Sequence, residues 1–297
     1  MSLVVVTPSH APDFAGFKDL HASVVRNTDA TTRHIVVVPD EDVRLFSSVG
    51  GGRLVVRGYH SLLPREVRST TRLARLPRLP RGFRIAAVNI RRPWPPLRGW
   101  ILQQIVKMAL VRELDDDVAL LIDSDVLVAR PLTESLFRRD TAVRLYRLPN
   151  GLNPEMTRHL AWRRTAHELL RPPSDDPQSA DYITPFATWS PEVVRQCLSR
   201  VEEQSGMRWH GAVGSRLEFS EFILYGTFAT TLAEVGRTYA SELNLCHSYW
   251  TPEPLTRSAA EAFLASMPAH ALAVHVQSNS GTDEQVRRFI ADAVGEG

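Results

Sequence analysis

Two carboxylates separated by one residue, Asp123 and Asp125 with Ser124 between them, are the groups in this sequence best spaced to do chemistry. They follow directly on the apolar run Val118-Ala119-Leu120-Leu121-Ile122 and precede Val126-Leu127-Val128. A carboxylate pair in such a turn can share a hard divalent cation. Mg²⁺ or Mn²⁺ accepts both as oxygen ligands and keeps coordination sites for phosphate oxygens. An Asp-X-Asp triplet alone is a weak signal, because the same residue types favour solvated turns. Its placement strengthens it: open α/β sheets bind their ligands just beyond the carboxyl ends of the strands.

The elements that would position this turn are legible in the flanking sequence. Leu3-Val4-Val5-Val6-Thr7, ending in Pro8-Ser9, and His34-Ile35-Val36-Val37-Val38, stopped by Pro39-Asp40, read as buried parallel strands. Leu54-Val55-Val56 reads as a weaker third. Residues 14 to 26 carry apolar positions at helical spacing, and so do residues 100 to 114, through Ile101, Ile105, Met108 and Val111. Strand and helix alternate as in a parallel sheet with helices on both faces. Tyr182-Ile183-Thr184 reads as a further strand, and residues near 191–204 and 220–235 read as helices. Residues 61–98 break the pattern: arginine and proline crowd a long loop that carries one hairpin. The preferred organisation is one domain over residues 1–297, in two halves, 1–135 and a more variable 136–297.

The bulk numbers narrow the classes. At 297 residues and 43% hydrophobic content the chain can bury a large core. A net charge of +2 indicates neither a nucleic-acid binder nor an acidic solvating protein. Lys18 and Lys107 are the only lysines, so nearly all positive charge is arginine, a bias typical of high-GC genomes. Cys197 and Cys246 stand alone, too few for a disulfide framework or a zinc site, and fit a reducing compartment. With no apolar segment near the roughly 20 residues that span a bilayer, the expectation is a cytoplasmic protein without a transmembrane segment. Peripheral membrane contact stays open.

Here a resemblance enters. Leu120 to Leu132, around Asp123-Ser124-Asp125, resembles the metal-binding segment of family-8-like glycosyltransferases of the GT-A fold. The helix Trp100-Ile101-Leu102-Gln103-Gln104-Ile105-Val106-Lys107-Met108 resembles a signature of bacterial GT-A-like proteins. Asp181-Tyr182-Ile183-Thr184-Pro185, Ser220-Glu221-Phe222-Ile223-Leu224-Tyr225-Gly226 and Val274-His275-Val276-Gln277-Ser278 are similar in order and spacing. The resemblance implies an α/β, GT-A-like (Rossmann-like) fold, a mixed and mostly parallel sheet flanked by helices. It also implies a Mn²⁺- or Mg²⁺-dependent transferase, hexosyl or N-acetylhexosaminyl in type, with a nucleotide-sugar donor, most simply UDP-linked. The acceptor would be a small molecule or a carrier-bound group, in natural-product or cell-envelope biosynthesis.

Carried over residue by residue, the resemblance gives each position a role with a plainer reading beside it. Thr7, Pro8 and Ser9 would meet the nucleoside, or simply cap the following helix. Asp40 would approach the base or ribose. Asp123 and Ser124 would join them on the donor, as would Asp181 and Tyr182, which are otherwise ordinary loop residues. Lys107 would stabilise pyrophosphate charge, or be a surface lysine on an amphipathic helix. His275 would complete a metal site with Asp123 and Asp125, or be a hydrogen-bonded core histidine; His247 and His210 stand in reserve. Glu221, following a plausible N-cap at Ser220, would serve as general base or acceptor-binding group, or only complement the helix dipole. Glu218 is its alternate. The loop arginines Arg65, Arg68, Arg72, Arg75, Arg78, Arg81 and Arg84 would close over the diphosphate or dock an acidic partner, or be solvated charge.

Two other classes compete. A nucleotidyltransferase of related fold would show a glycine-rich loop after the first strand, where this chain has Thr7-Pro8-Ser9-His10-Ala11-Pro12. A non-catalytic carbohydrate-binding protein would not need the acidic pair. Retention and inversion of the sugar's anomeric configuration are both open.

Overall fold

The computed structural model describes residues 2–65, 67–69, 85–89, 97–173 and 178–296. Its central sheet is built from β1 (Leu3–Pro8), β2 (Arg33–Val38), β3 (Leu54–Gly58) and the later strand Val118–Ile122, all parallel, with Phe186–Trp189 antiparallel at one edge. This is the expected mixed, mostly parallel sheet flanked by helices.

Alternate residues of one strand serve two cores, which is why the strands read as unbroken apolar runs. Val4 and Val6 pack with Ile35, Val37 and the helix Gly99–Glu113. Leu3 and Val5 face the other way, against Leu20 and Val24 of α1 (Phe14–Asn27), together with Val118, Leu120 and Ile122. Val36 and Val38 cover Phe17 and Phe46, Phe46 lying in the short helix α2 (Val43–Ser47).

Beyond β3 come three short strands, β4 (Val67–Ser69), β5 (Ile85–Asn89) and β6 (Leu97–Arg98), paired antiparallel. The expected single hairpin is therefore a three-stranded piece. Arg72, Arg75, Arg78, Arg81 and Arg84 lie outside the described residues. Helix α3 (Gly99–Glu113) leads into β7 (Val118–Ile122), which is followed immediately by β8 (Val126–Val128).

The second half adds β9 (Arg138–Arg139), β10 (Ala142–Tyr146), α4 (Thr157–Leu170) and β11 (Phe186–Trp189). The strand expected at Tyr182-Ile183-Thr184 is instead a turn. Asp181 Oδ1 accepts from the backbone NH groups of Tyr182 (2.8 Å) and Ile183 (3.1 Å), and so takes two donors that a ladder would need. The strand starts four residues further on, after Pro185.

Helix α5 (Pro191–Ser205) begins with Ser190 accepting from the Val193 NH and proline in its first turn, and closes on Gly206 at φ 65°. The short α6 (Trp209–Gly214) precedes α7 (Glu221–Thr231), which ends earlier than the spacing to residue 235 predicts. β12 (Thr238–Ser241) joins β10 and β9, while β13 (Cys246–Tyr249) and β14 (Ala273–Val276) join β8. Helix α8 (Arg257–Ala265) lies between these two strands and α9 (Glu284–Glu296) follows them. No helix among the described residues is long and apolar enough to cross a membrane.

Candidate functional site

The acidic turn stands where two sheets meet. Asp123 follows directly on β7, with its backbone NH bonded to the Pro185 carbonyl (3.1 Å) and its carbonyl accepting from Val126 NH (3.2 Å), so the chain enters β8 at once. Ser124 turns back towards the start of α1: its hydroxyl donates to Asp13 Oδ2 (3.2 Å), an atom that lies 2.8 Å from His10 Nδ1. Ser124 thus anchors the turn, and Asp13 joins the site without having been expected there.

Asp125 faces β14, whose antiparallel pairing with β8 sets His275 opposite Val126. His275 Nε2 lies 3.5 Å from Asp125 Oδ1, and the Ser278 NH donates to Asp125 Oδ2 (2.8 Å). Burial works against the Asp125 anion, but the His275 contact and the Ser278 bond outweigh it and hold the carboxyl below its ordinary value. His275 is 2% exposed, and its Nδ1 has no partner among the described residues. Trp250, at the end of β13, leans over the imidazole with ring centroids 4.4 Å apart. Arg287 of α9 binds the carbonyls of Val276 (2.9 Å) and Gln277 (2.8 Å), clasping the loop that carries Ser278.

Behind the turn lies a second ionic group. Lys107 and Glu221 are 5% and 2% exposed, with Nζ 2.6 Å from Oε1. Helix α3 is buried on almost all sides, so Lys107 is no surface lysine. Its ammonium also lies 4.7 Å from the Phe222 ring centre. Burial alone would drive the Lys107 ammonium down, but Glu221 and Asp123 together hold it above its ordinary value. Burial pushes the Asp123 carboxyl up to about 6, with Asp125 and Glu221 adding to the effect and Lys107 and His275 opposing it.

Gln104, one turn before Lys107, accepts from the Glu221 backbone NH through Oε1 (2.9 Å), while Ser220 caps α7 by accepting from Ile223 NH. Gln104 Nε2 and Glu221 Oε2 are buried without partners among the described residues. Two such orphaned atoms are costly in a folded core and mark polar positions that a ligand can satisfy.

The residues expected on the nucleoside separate into two groups. Thr7 is fully buried, its hydroxyl 3.0 Å from His34 Nε2, and His34 Nδ1 lies 3.0 Å from His21 Nδ1. Pro8 is buried in β1. Ser9 lines a cavity of about 220 Å³ with His10, Pro39, Tyr59, Gly99, Leu102 and Gln103, and its buried hydroxyl has no partner among the described residues. This cavity opens at the carboxyl ends of β1 and β2. Asp40 accepts from His60 NH at 3.1 Å through Oδ1. Asp181 spends Oδ1 on its own turn, and its Oδ2 lies 3.7 Å from His159 Nδ1. The buried Tyr182 ring packs against Gly226, where a Cβ would come within 2.2 Å of Cγ.

The reserve residues sit elsewhere. His247 Nε2 bonds the Phe263 carbonyl (2.9 Å), and its ring stacks on Phe263. His210 is buried in α6. Glu218 accepts from Trp162 Nε1 at 3.0 Å. Among the described residues no three His, Cys, Asp or Glu side chains are grouped so as to hold a metal. The acidic turn offers instead the Asp125–His275 pair, 3.5 Å apart. Gln104, Arg287 and Trp250 went unanticipated, since none carries a spacing that announces its partner.

Residues 4–292 match the model of a family described as a family of unknown function (DUF6492). No curated protein matches the chain. Among solved structures, the chain is similar to the galactosyltransferase LgtC in complex with donor and acceptor sugar analogues, at 13% identity and a TM-score of 0.49, over 99% of this chain and 95% of that one. An active-site mutant of LgtC gives 14% and 0.48 over the same shares. The bifunctional glycosyltransferase WbbM in its apo form gives 12% and 0.46, over 92% of this chain and 45% of that one.

Proposed function

We propose that this chain, which belongs to the family of unknown function DUF6492, is a glycosyltransferase that takes its sugar from a nucleoside-diphosphate donor. The observation that carries the reading is the Asp125–His275 pair at the carboxyl end of the sheet, backed by the buried Lys107–Glu221 pair. Asp123, between them, is coupled electrostatically to both.

The donor set suits a hard cation. Asp125 is kept anionic, His275 offers an imidazole nitrogen beside it, and a cation of this kind commonly takes one or two protein ligands with the rest from phosphate oxygens and water. Mn²⁺ or Mg²⁺ held by Asp125 and His275, with Asp123 adjoining, would neutralise diphosphate charge as the nucleoside diphosphate departs.

The remaining work falls to the chain's own groups. The nucleoside, most simply uridine, enters the cavity at Ser9, Pro39 and Tyr59, beside Asp40, where the Ser9 hydroxyl meets its partner. Lys107 places a fixed positive charge behind the turn, in surroundings where water screens little. Glu221 keeps Oε2 unshared in the first turn of α7, and it is the group we assign to take a proton from an acceptor hydroxyl or amine. Asp181 and Tyr182 shape the wall of the sugar site. A small-molecule or carrier-bound acceptor completes the reaction.

The test is hydrolysis of a panel of UDP-hexoses and UDP-N-acetylhexosamines with and without Mn²⁺. Metal-dependent release of sugar supports transfer, and inertness towards every donor overturns it. The anomeric proton of the product, read by NMR, decides between retention and inversion. The near-complete burial of Lys107 and Glu221 favours one alternative, a carbohydrate-binding protein whose charges serve only the core; donor binding without any turnover would establish that reading.

A further inference from the structure

We infer that Trp250 is a stacking platform for a pyranose ring beside the Asp125–His275 pair; the inference rests on the glycosyl-transfer reading above. Trp250 is 50% exposed, and its indole leans over the buried His275 at an interplanar angle of 54°. Half of a large apolar side chain is thus left open at the edge of the acidic turn.

The backbone around it is tied down on both sides. Tyr249 carbonyl accepts from Gln277 NH (3.2 Å), Tyr249 hydroxyl donates to Glu253 carbonyl (3.0 Å), and Leu255 NH donates to Thr282 Oγ1 (3.0 Å). Pro252 and Pro254 restrict the chain between these ties. A rigid aromatic with two side-chain torsions loses little entropy when a ligand settles on it.

The exposed surface selects its occupant by shape and polarity. A pyranose has an apolar C–H face to lay on the indole and hydroxyls at its rim. The polar run Gln277-Ser278-Asn279 leaves β14 at the level where Trp250 leaves β13, since Tyr249 pairs with Val276. A nucleobase could also stack, but the cavity at Ser9, Pro39 and Tyr59 belongs to the ends of β1 and β2 and the start of α3, elements other than the β13–β14–β8 sheet that carries Trp250. On the reading above the nucleoside takes that cavity, so the ring on Trp250 is a sugar, either the donor's hexose or the acceptor's.

Saturation-transfer NMR on the full chain with Mg²⁺, which is diamagnetic and leaves the ligand signals sharp, separates these sources. The probes are UDP-glucose and UDP-galactose, and methyl β-D-glucopyranoside and methyl β-D-galactopyranoside added with UDP. In Trp250→Ala the pyranose ring-proton signals should fall roughly tenfold, as expected for loss of a stacked aromatic contact, with uridine signals unchanged. Trp250→Phe should stay within about threefold of wild type, because a ring face is retained. Loss on the UDP-sugar hexose assigns the donor, and loss on a methyl glycoside assigns the acceptor. Pyranose signals that are absent in wild type or unchanged in Trp250→Ala, with uridine signals intact, overturn the platform and leave the donor reading standing. Absence of uridine signals in wild type overturns both. Matching melting midpoints exclude unfolding as the cause.

Discussion

Lys107 Nζ and Glu221 Oε1 meet at 2.6 Å although 114 residues separate them in the chain, and neither side chain reaches solvent appreciably. This pair ties the helix before the acidic strand to the helix of the second half. Breaking a buried pair by removing one partner leaves an uncompensated charge, a cost of about 3–5 kcal/mol. Lys107→Met should therefore lose stability by that order in urea unfolding. The double variant Lys107→Met/Glu221→Leu should recover a large part of the loss, and additive losses would show that the two groups do not act as a pair.

At the rim of the turn, Asp125→Ala removes the carboxylate shared by His275 and the Ser278 NH. Mn²⁺-dependent release of sugar from the preferred UDP-sugar should fall at least about a hundredfold, the order expected when a main charge-stabilising group is lost. The far-ultraviolet circular dichroism spectrum should be unchanged. Wild-type turnover in that variant would remove the acidic turn from the reaction.

The histidine pair joining α1 and β2, His21 and His34, makes stability fall in acid. His34 is fully buried, and burial, followed by His21 and Arg53, depresses its pKa well below the ordinary value; His21 is depressed by burial and Arg53. The unfolded chain then binds more protons than the native one, so this contribution is present above about pH 6.5 and declines as pH falls below it. Asp123, raised to about 6 by burial, acts with the opposite sign. The histidine part is read as a difference: between pH 7.5 and 5.5 the urea midpoint of wild type should drop more than that of His34→Gln. Equal drops would refute it.

Gly226 faces the Tyr182 ring so closely that a Cβ would sit 2.2 Å from Cγ, with ring carbons rather than a flexible chain end in the way. Gly226→Ala should cost about 1–3 kcal/mol from overpacking. Adding Tyr182→Ala should then cost less than Tyr182→Ala costs in wild type, because the clash is already relieved. Strict additivity in thermal melts would place the strain elsewhere.

How much of this was legible depends on how local the signal was. Val118–Ile122 is a strand with the expected bounds, because a strand buried on both faces writes an unbroken apolar run. Val36 and Val37 serve opposite cores, yet both read simply as apolar. Tyr182-Ile183-Thr184 has strand-like residues, but the carboxylate one place earlier captures their NH groups, a local competition that propensity does not register. Long-range partners were illegible for a different reason. Lys107 stands among apolar neighbours in the sequence, but nothing local names Glu221, 114 residues on, as its partner, and Thr7 meets His34 only through the register of β1 with β2. An isolated exposed tryptophan such as Trp250 carries no periodicity, and only its neighbour His275 gives it meaning.

Arg287 has a consequence for the order in which the molecule is made. The Ser278 NH that orients Asp125 stands on a loop whose carbonyls are gathered by a guanidinium in α9. During synthesis Asp123 and Asp125 leave the ribosome long before that residue exists. A nascent chain that has already assembled β1, β2 and β7 still lacks the clasp, and its acidic turn is unset. On the proposed reading, the first half of the chain would hold the donor only after α9 has docked, so a translation intermediate would fold early and bind late.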